Sequence, residues 1–104
     1  MNIGMMMQQA RKMQENMQKM QEELAGMEVI GEAGGNMMRV TMGGDRNVRK
    51  VEIDASLWDE NDKGLIEDLM AAATNAALQQ IEGLSKDKQK DMLGGMPLPP
   101  GFSL

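Results

Sequence analysis

Met6, Ala10, Met13, Met17, Met20, Leu24 and Met27 recur at intervals of four, three, four, three, four and three. That is the spacing of a heptad seam, and it predicts a helix over residues 5–27. Gln, Glu, Lys and Arg fill most of the positions between, and all are good helix formers. Gly26 marks its stop. At about 1.5 Å per residue such a helix runs roughly 33 Å, longer than so small a domain can cover. The period then changes from heptad to two. MEVIGEAG (27–34) is β-rich at its start, and Gly34-Gly35-Asn36 signals a turn. Met38, Val40 and Met42 alternate with Arg39 and Thr41, the pattern of a half-buried strand. Gly43-Gly44-Asp45 signals a second hairpin turn. In the next strand Val51 and Ile53 share one face with Lys50, Glu52 and Asp54 on the other. Val48 has the wrong parity for that face, which points to a bulge or an edge irregularity near Arg49.

Residues 55–61 read as a connection, with Ser56 and Asp59 spaced as in a short capping turn. A second long helix is expected from about Asp62 to Gly83, with an extension to Met92 open. Leu65, Ile66, Leu69, Met70, Ala73, Ala76, Ala77 and Ile81 give it a broad apolar face. The alanines at its centre permit close approach by another element. Gly83 is expected to kink or end it. The expected class is therefore α+β: a long N-terminal helix, a three-stranded antiparallel meander and a C-terminal helix. One domain spans 1–92. Residues 93–104 are Gly/Pro-rich, without periodicity, and are expected to be a disordered tail.

Composition removes several functions. The chain of 104 residues has no Cys and no His, so it offers no thiolate site and lacks the commonest acid–base group. The hydroxyls of Ser56, Ser85, Ser103, Thr41 and Thr74 have no evident base beside them, and the glycines match no phosphate-binding fingerprint. No enzyme is expected. Fourteen Met raise the question of soft-metal binding. Their place on a helical seam favours adaptable packing, so neither metal nor cofactor is expected. With no run of about 18 apolar residues and no secretory leader, membrane partners are not expected and the cytoplasm is the default.

Charge changes the picture more. Asp and Glu number 16 against 11 Lys and Arg, a net charge of −5. That total opposes nucleic-acid binding by the chain as a whole, so any such binding must come from local clustering. Three clusters exist. Arg11, Lys12 and Lys19 are expected to flank the seam of the first helix. Arg11, Glu15, Lys19 and Glu23 also fit a ladder of i,i+4 pairs, and both readings stand. From Ala33 to Val51, Arg39, Arg46, Arg49 and Lys50 oppose a single acid, Asp45. Lys86, Lys88 and Lys90 follow near the C-terminal end. In a three-strand meander the first helix enters at one end of the sheet and the last helix folds back towards that same end. Arg11, Lys12, Lys86, Lys88 and Lys90 are thus expected to share one protruding tip. With Trp58 and Phe102 the only aromatics, stacking on unpaired bases is nearly excluded, which leaves duplex backbone as the nucleic-acid target.

The order QQARKMQENMQKMQEEL, EVIGEAGGNMMRVTMGG, VRKVEID, LIEDLMAAATNAA and LPPGF resembles the YbaB/EbfC family of bacterial nucleoid-associated proteins over nearly the whole chain. The resemblance implies a helix–three-strand–helix protomer and a homodimer with projecting helices. It also implies binding of double-stranded DNA with weak or variable sequence preference. Candidate DNA contacts are Arg11, Lys12, Lys19, Arg39, Arg46, Arg49, Lys50, Lys86, Lys88 and Lys90. The alternative is a protein-interaction module in which the Met seam and the C-terminal tail dock a partner protein.

Overall fold

A computed structural model describes residues 2–93, and the expected tail over 93–104 lies outside them apart from its first residue. The elements run α1 (Ile3–Ala25), β1 (Glu28–Ala33), β2 (Met38–Gly43), β3 (Val48–Ile53), a single turn α2 (Ser56–Asp59) and α3 (Lys63–Leu93). The class read from the pattern holds. The first helix begins two residues early because Asn2 caps it, its side chain accepting from the Gly4 N–H at 3.0 Å. The short turn α2 is secured by Asp54 rather than by Ser56. The Asp54 carboxylate accepts from the Ser56 N–H at 2.9 Å and from its hydroxyl at 2.7 Å.

The sheet is an antiparallel meander in the order β1-β2-β3. Val29, Gly31 and Ala33 pair with Met42, Val40 and Met38, so these six residues share one face. On β3 the register slips: Thr41 pairs with Lys50 but Met42 pairs with Val48. Arg49 is therefore the extra residue of a bulge, as the parity of Val48 anticipates. The turn at Gly34-Gly35-Asn36 has all three residues at positive φ, between 63° and 74°.

The core lies between this sheet face and α3. Met38, Val40, Leu57 and Ala73 form one buried cluster; Met42, Ala77 and Ile81 form the next. Ala73 and Ala77 face Gly31, and the three small residues let helix and sheet backbones nearly touch. Gln80 adds a tie, its amide donating to the Ile30 carbonyl on β1 at 2.8 Å. α3 packs along β1 and β2 and leaves most of β3 uncovered. Val48 and Val51 are consequently 47% and 41% exposed.

α3 does not end at Gly83. It continues unbroken to Leu93, and at roughly 1.5 Å per residue its 31 residues span about 46 Å. Past the sheet it finds new support on α1. Met20 and Leu24, the last buried members of the heptad seam, lie on that stretch. Lys88 donates to Glu23 at 3.0 Å. Such contacts offset the cost of about 1 kcal/mol that one glycine brings to a helix interior. The molecule is 69 Å long and only 21 Å across. Among the described residues its narrow end is α1 alone, where Ile3, Met5, Met6 and Met7 are between 53% and 72% exposed.

Candidate nucleic-acid interface

The uncovered sheet face carries three of the candidate cations. β1 and β3 both pair with β2, so Glu32 and Glu52 stand on either side of Arg39, and Lys50 lies beside Thr41. Arg39 approaches Glu32 at 3.6 Å and Lys50 approaches Glu52 at 3.8 Å. The Arg39 Nε is buried without a hydrogen bond, since 3.6 Å is too long for one. Arg49 pairs with Glu28 at 2.9 Å. Three cations thus meet three carboxylates. The local positive excess read over residues 33–51 is cancelled by Glu28, Glu32 and Glu52, which lie just outside that window in sequence and opposite it in register.

Arg46 is different. It sits in the β2–β3 turn with φ +67°, a left-handed conformation uncommon outside glycine. The neighbouring Asp45 shapes that turn by accepting from the Asn47 N–H at 3.2 Å and its amide at 3.0 Å. The Asn47 backbone hydrogen bond is the main reason that the Asp45 carboxyl titrates below its ordinary 3.8. The turn borders the root of α1, where Arg46 shares a shallow groove with Gln21 and Leu24.

The remaining candidates lie further along the arm. Lys88 is paired with Glu23 and sits with Asn16, Lys19, Met20 and Asp91 around a groove of about 270 Å³. The end of α3 therefore runs beside residues 16–23 of α1, level with Lys19. Arg11 and Lys12 stand further out, on the part of α1 that α3 does not reach. The expected common tip is drawn out into a tapered arm. The seam itself needs a correction. Counted from Met6, its spacing makes Met6, Met13 and Met20 d positions and Ala10, Met17 and Leu24 a positions. Arg11 then falls at b and Lys12 and Lys19 at c, turned away from the seam rather than flanking it. All three are exposed.

A simple division results. Among the described residues Arg11, Lys12, Lys19, Arg46, Lys86 and Lys90 have no carboxylate within 4.0 Å, and all six lie on the arm or at its root. Of the paired candidates Arg39, Arg49 and Lys50 lie on the sheet and Lys88 on the arm. At the opposite end, residues 54–68 gather Asp54, Asp59, Glu60, Asp62, Glu67 and Asp68 against Lys63 alone. Sequence reasoning missed the role of Glu23, Glu28, Glu32 and Glu52 as neutralising partners. Strand register and helix packing bring Glu23, Glu28 and Glu32 into range, whereas Glu52 stands two residues from Lys50 on the same face of β3. No group of three or more Asp or Glu among the described residues is placed to hold a metal ion.

Residues 1–96 match the YbaB/EbfC DNA-binding family. The fold is also that of an uncharacterized protein from Helicobacter pylori, HP0035, known from a crystal structure. The two share 22% sequence identity with a TM-score of 0.80, over 90% of this chain and 99% of that one.

Proposed function

The chain belongs to the YbaB/EbfC DNA-binding family, and on that premise we propose that it is a nucleoid-associated protein of the bacterial cytoplasm that grips duplex DNA by its phosphates. The observation that carries this reading is the segregation of charge. Residues 3–25 and 84–93, the two helical stretches of the arm, hold six cations and five anions. Residues 26–83 hold five cations and eleven anions. Arg11, Lys12, Lys19, Lys86 and Lys90 are the proposed phosphate contacts, with Arg46 at the root. Contacts to phosphates carry no sequence information directly, so sequence preference is weak. Among the described residues no helix is long and apolar enough to cross a membrane.

Each neutralised phosphate adds about −0.9 to the log–log salt slope, so about four of these contacts engaged at once give about −3.6. Gel shifts of one duplex at several salt concentrations measure it. A slope near zero would contradict the mechanism, and a strong dependence on DNA sequence would contradict backbone recognition.

The active form is proposed to be a homodimer. β3 is an edge strand whose helix-side residues, Val48 and Val51, are left open by α3. A second copy covers them, with the twofold axis along the arms so that both arms project from the same end. Val51→Lys is then expected to yield a folded monomer by light scattering. A dimer that survives this change would place the contact elsewhere.

A second reading draws on Ile3, Met5, Met6 and Met7, exposed at the outer end of α1. In that reading the Met-bearing helix docks a partner protein and DNA binding is incidental. Met13→Gln with Met17→Gln separates the two: loss of function with dimer and DNA binding intact favours it.

A further inference from the structure

We infer that Arg49 is a positioning residue: it fixes the direction in which the α1 arm leaves the sheet, and it supports DNA binding through that geometry rather than through its charge. The inference rests on the proposal that the arm carries the DNA contacts.

Only Gly26 and Met27 separate α1 from β1. So short a link, with a glycine in it, cannot by itself hold a 23-residue helix at one angle. Something must brace the helix end, and the last turn of α1 contains no basic residue of its own. The Glu23–Lys88 pair ties α1 to α3 further out, and at the link itself Arg49 supplies the brace from 24 residues away. Its Nη2 donates to the Ala25 carbonyl at 2.6 Å, and its Nη1 donates to Glu28 Oε1 at 2.9 Å. Ala25 is the last residue of α1, where carbonyls lack helical partners and the helix dipole favours a cation. Glu28 is the first residue of β1. One guanidinium thus joins the end of the arm to the start of the sheet across the link.

Two further features allow this. The bulge on β3 makes Arg49 the unpaired residue, which frees its side chain to reach across the sheet. Gly43 lies beneath the guanidinium: a Cβ there would fall 2.6 Å from Cζ and from Nε. On the far side of the link the Gly44 N–H donates to the Met27 carbonyl at 3.0 Å, and the absent Gly44 side chain leaves room for the Leu24 backbone. The β2–β3 hairpin end therefore seats the helix terminus from two directions. A rigid fork with two donors can hold carbonyl and carboxylate together; a lysine offers one flexible point charge and cannot.

The test uses Arg49→Lys, which keeps the charge, and Glu28→Ala, which removes an anion. The absence of native cysteine permits spin labels at Gln8→Cys and Asn75→Cys, with labelled chains diluted into unlabelled protein. Pulsed electron–electron double resonance then reads the arm-to-body distance, and gel shifts read DNA affinity. Both variants are expected to broaden the distance distribution and to weaken binding at least about fivefold, with the salt slope unchanged because every phosphate contact is retained. Arg49→Lys binding as tightly as the parent with a narrow distribution would overturn the inference. So would tighter binding by Glu28→Ala, the result simple charge predicts. A broadened distribution with unchanged affinity supports the brace and instead sinks the reading that the arms hold DNA.

Discussion

Replacing Gly31 by alanine is expected to destabilise the protein by about 3 kcal/mol, the upper end of overpacking costs. Gly31 sits mid-strand on β1, opposite Val40, on the face that α3 covers. A Cβ there would meet the Ala73 carbonyl oxygen, and would lie 2.5 Å from Ala77 N and 2.9 Å from Ala77 Cβ. Two of those three atoms are helix backbone, so no side-chain rotation relieves the overlap. Helix and sheet must separate, which strains the Gln80–Ile30 hydrogen bond and loosens the packing around Ala73 and Ala77, both fully buried. Against this stands the gain from removing a flexible glycine, about 0.4–1 kcal/mol through the unfolded chain. The clash outweighs it. Gly83→Ala is the internal control: a Cβ there meets nothing within 4 Å, and helix propensity alone predicts a gain of about 1 kcal/mol. Thermal melts should show the first variant roughly 12–20 °C below the parent and the second several degrees above it. Near-parent melting of Gly31→Ala would mean that helix and sheet do not approach as closely as described.

The sequence carried the elements far better than their juxtapositions. Alternation of Met38, Val40 and Met42 was enough to orient β2, and the parity of Val48 was enough to locate the bulge, because both signals are local. The alanines of α3 announced a close approach, but not that its counterpart would be Gly31, since that depends on the pairing of β1 with β2. Length misled at Gly83. Propensity counts the glycine's cost, whereas the support from Glu23 and Met20 comes from a helix some sixty residues earlier. Charge was the least legible. Glu52 was already on the Lys50 face by alternation, but Glu28 and Glu32 meet Arg49 and Arg39 only once register is known, so a positive stretch of chain became a neutral surface. Arg49 offered two indirect hints, the bulge and a first helix whose last turn lacks a basic residue. Neither names Ala25 as its partner.

The same reasoning sets the largest effect expected on binding. A net charge of −5 tells DNA little, because salt screens exposed charges beyond about 10 Å at 0.1 M. From Arg11 to the end of α1 is roughly 21 Å at 1.5 Å per residue, two screening lengths or so. A phosphate at the arm therefore responds to Arg11 and Lys12 and hardly at all to the carboxylates of residues 54–68. Removing one cation from a phosphate weakens binding about eightfold at 0.1 M salt, from a slope of about 0.9 per neutralised phosphate. Arg11→Gln with Lys12→Gln is thus expected to lower affinity roughly sixtyfold for two phosphates, more if both arms of a dimer engage, and to flatten the salt slope by about 1.8. Arg39→Gln with Lys50→Gln removes the same formal charge from the sheet. There Glu32 and Glu52 already answer those cations, so affinity is expected to change by less than about threefold. The pair of variants has equal net charge and differs only in location. If the sheet variant proved the more damaging, DNA would lie across the sheet and the arms would serve some other purpose.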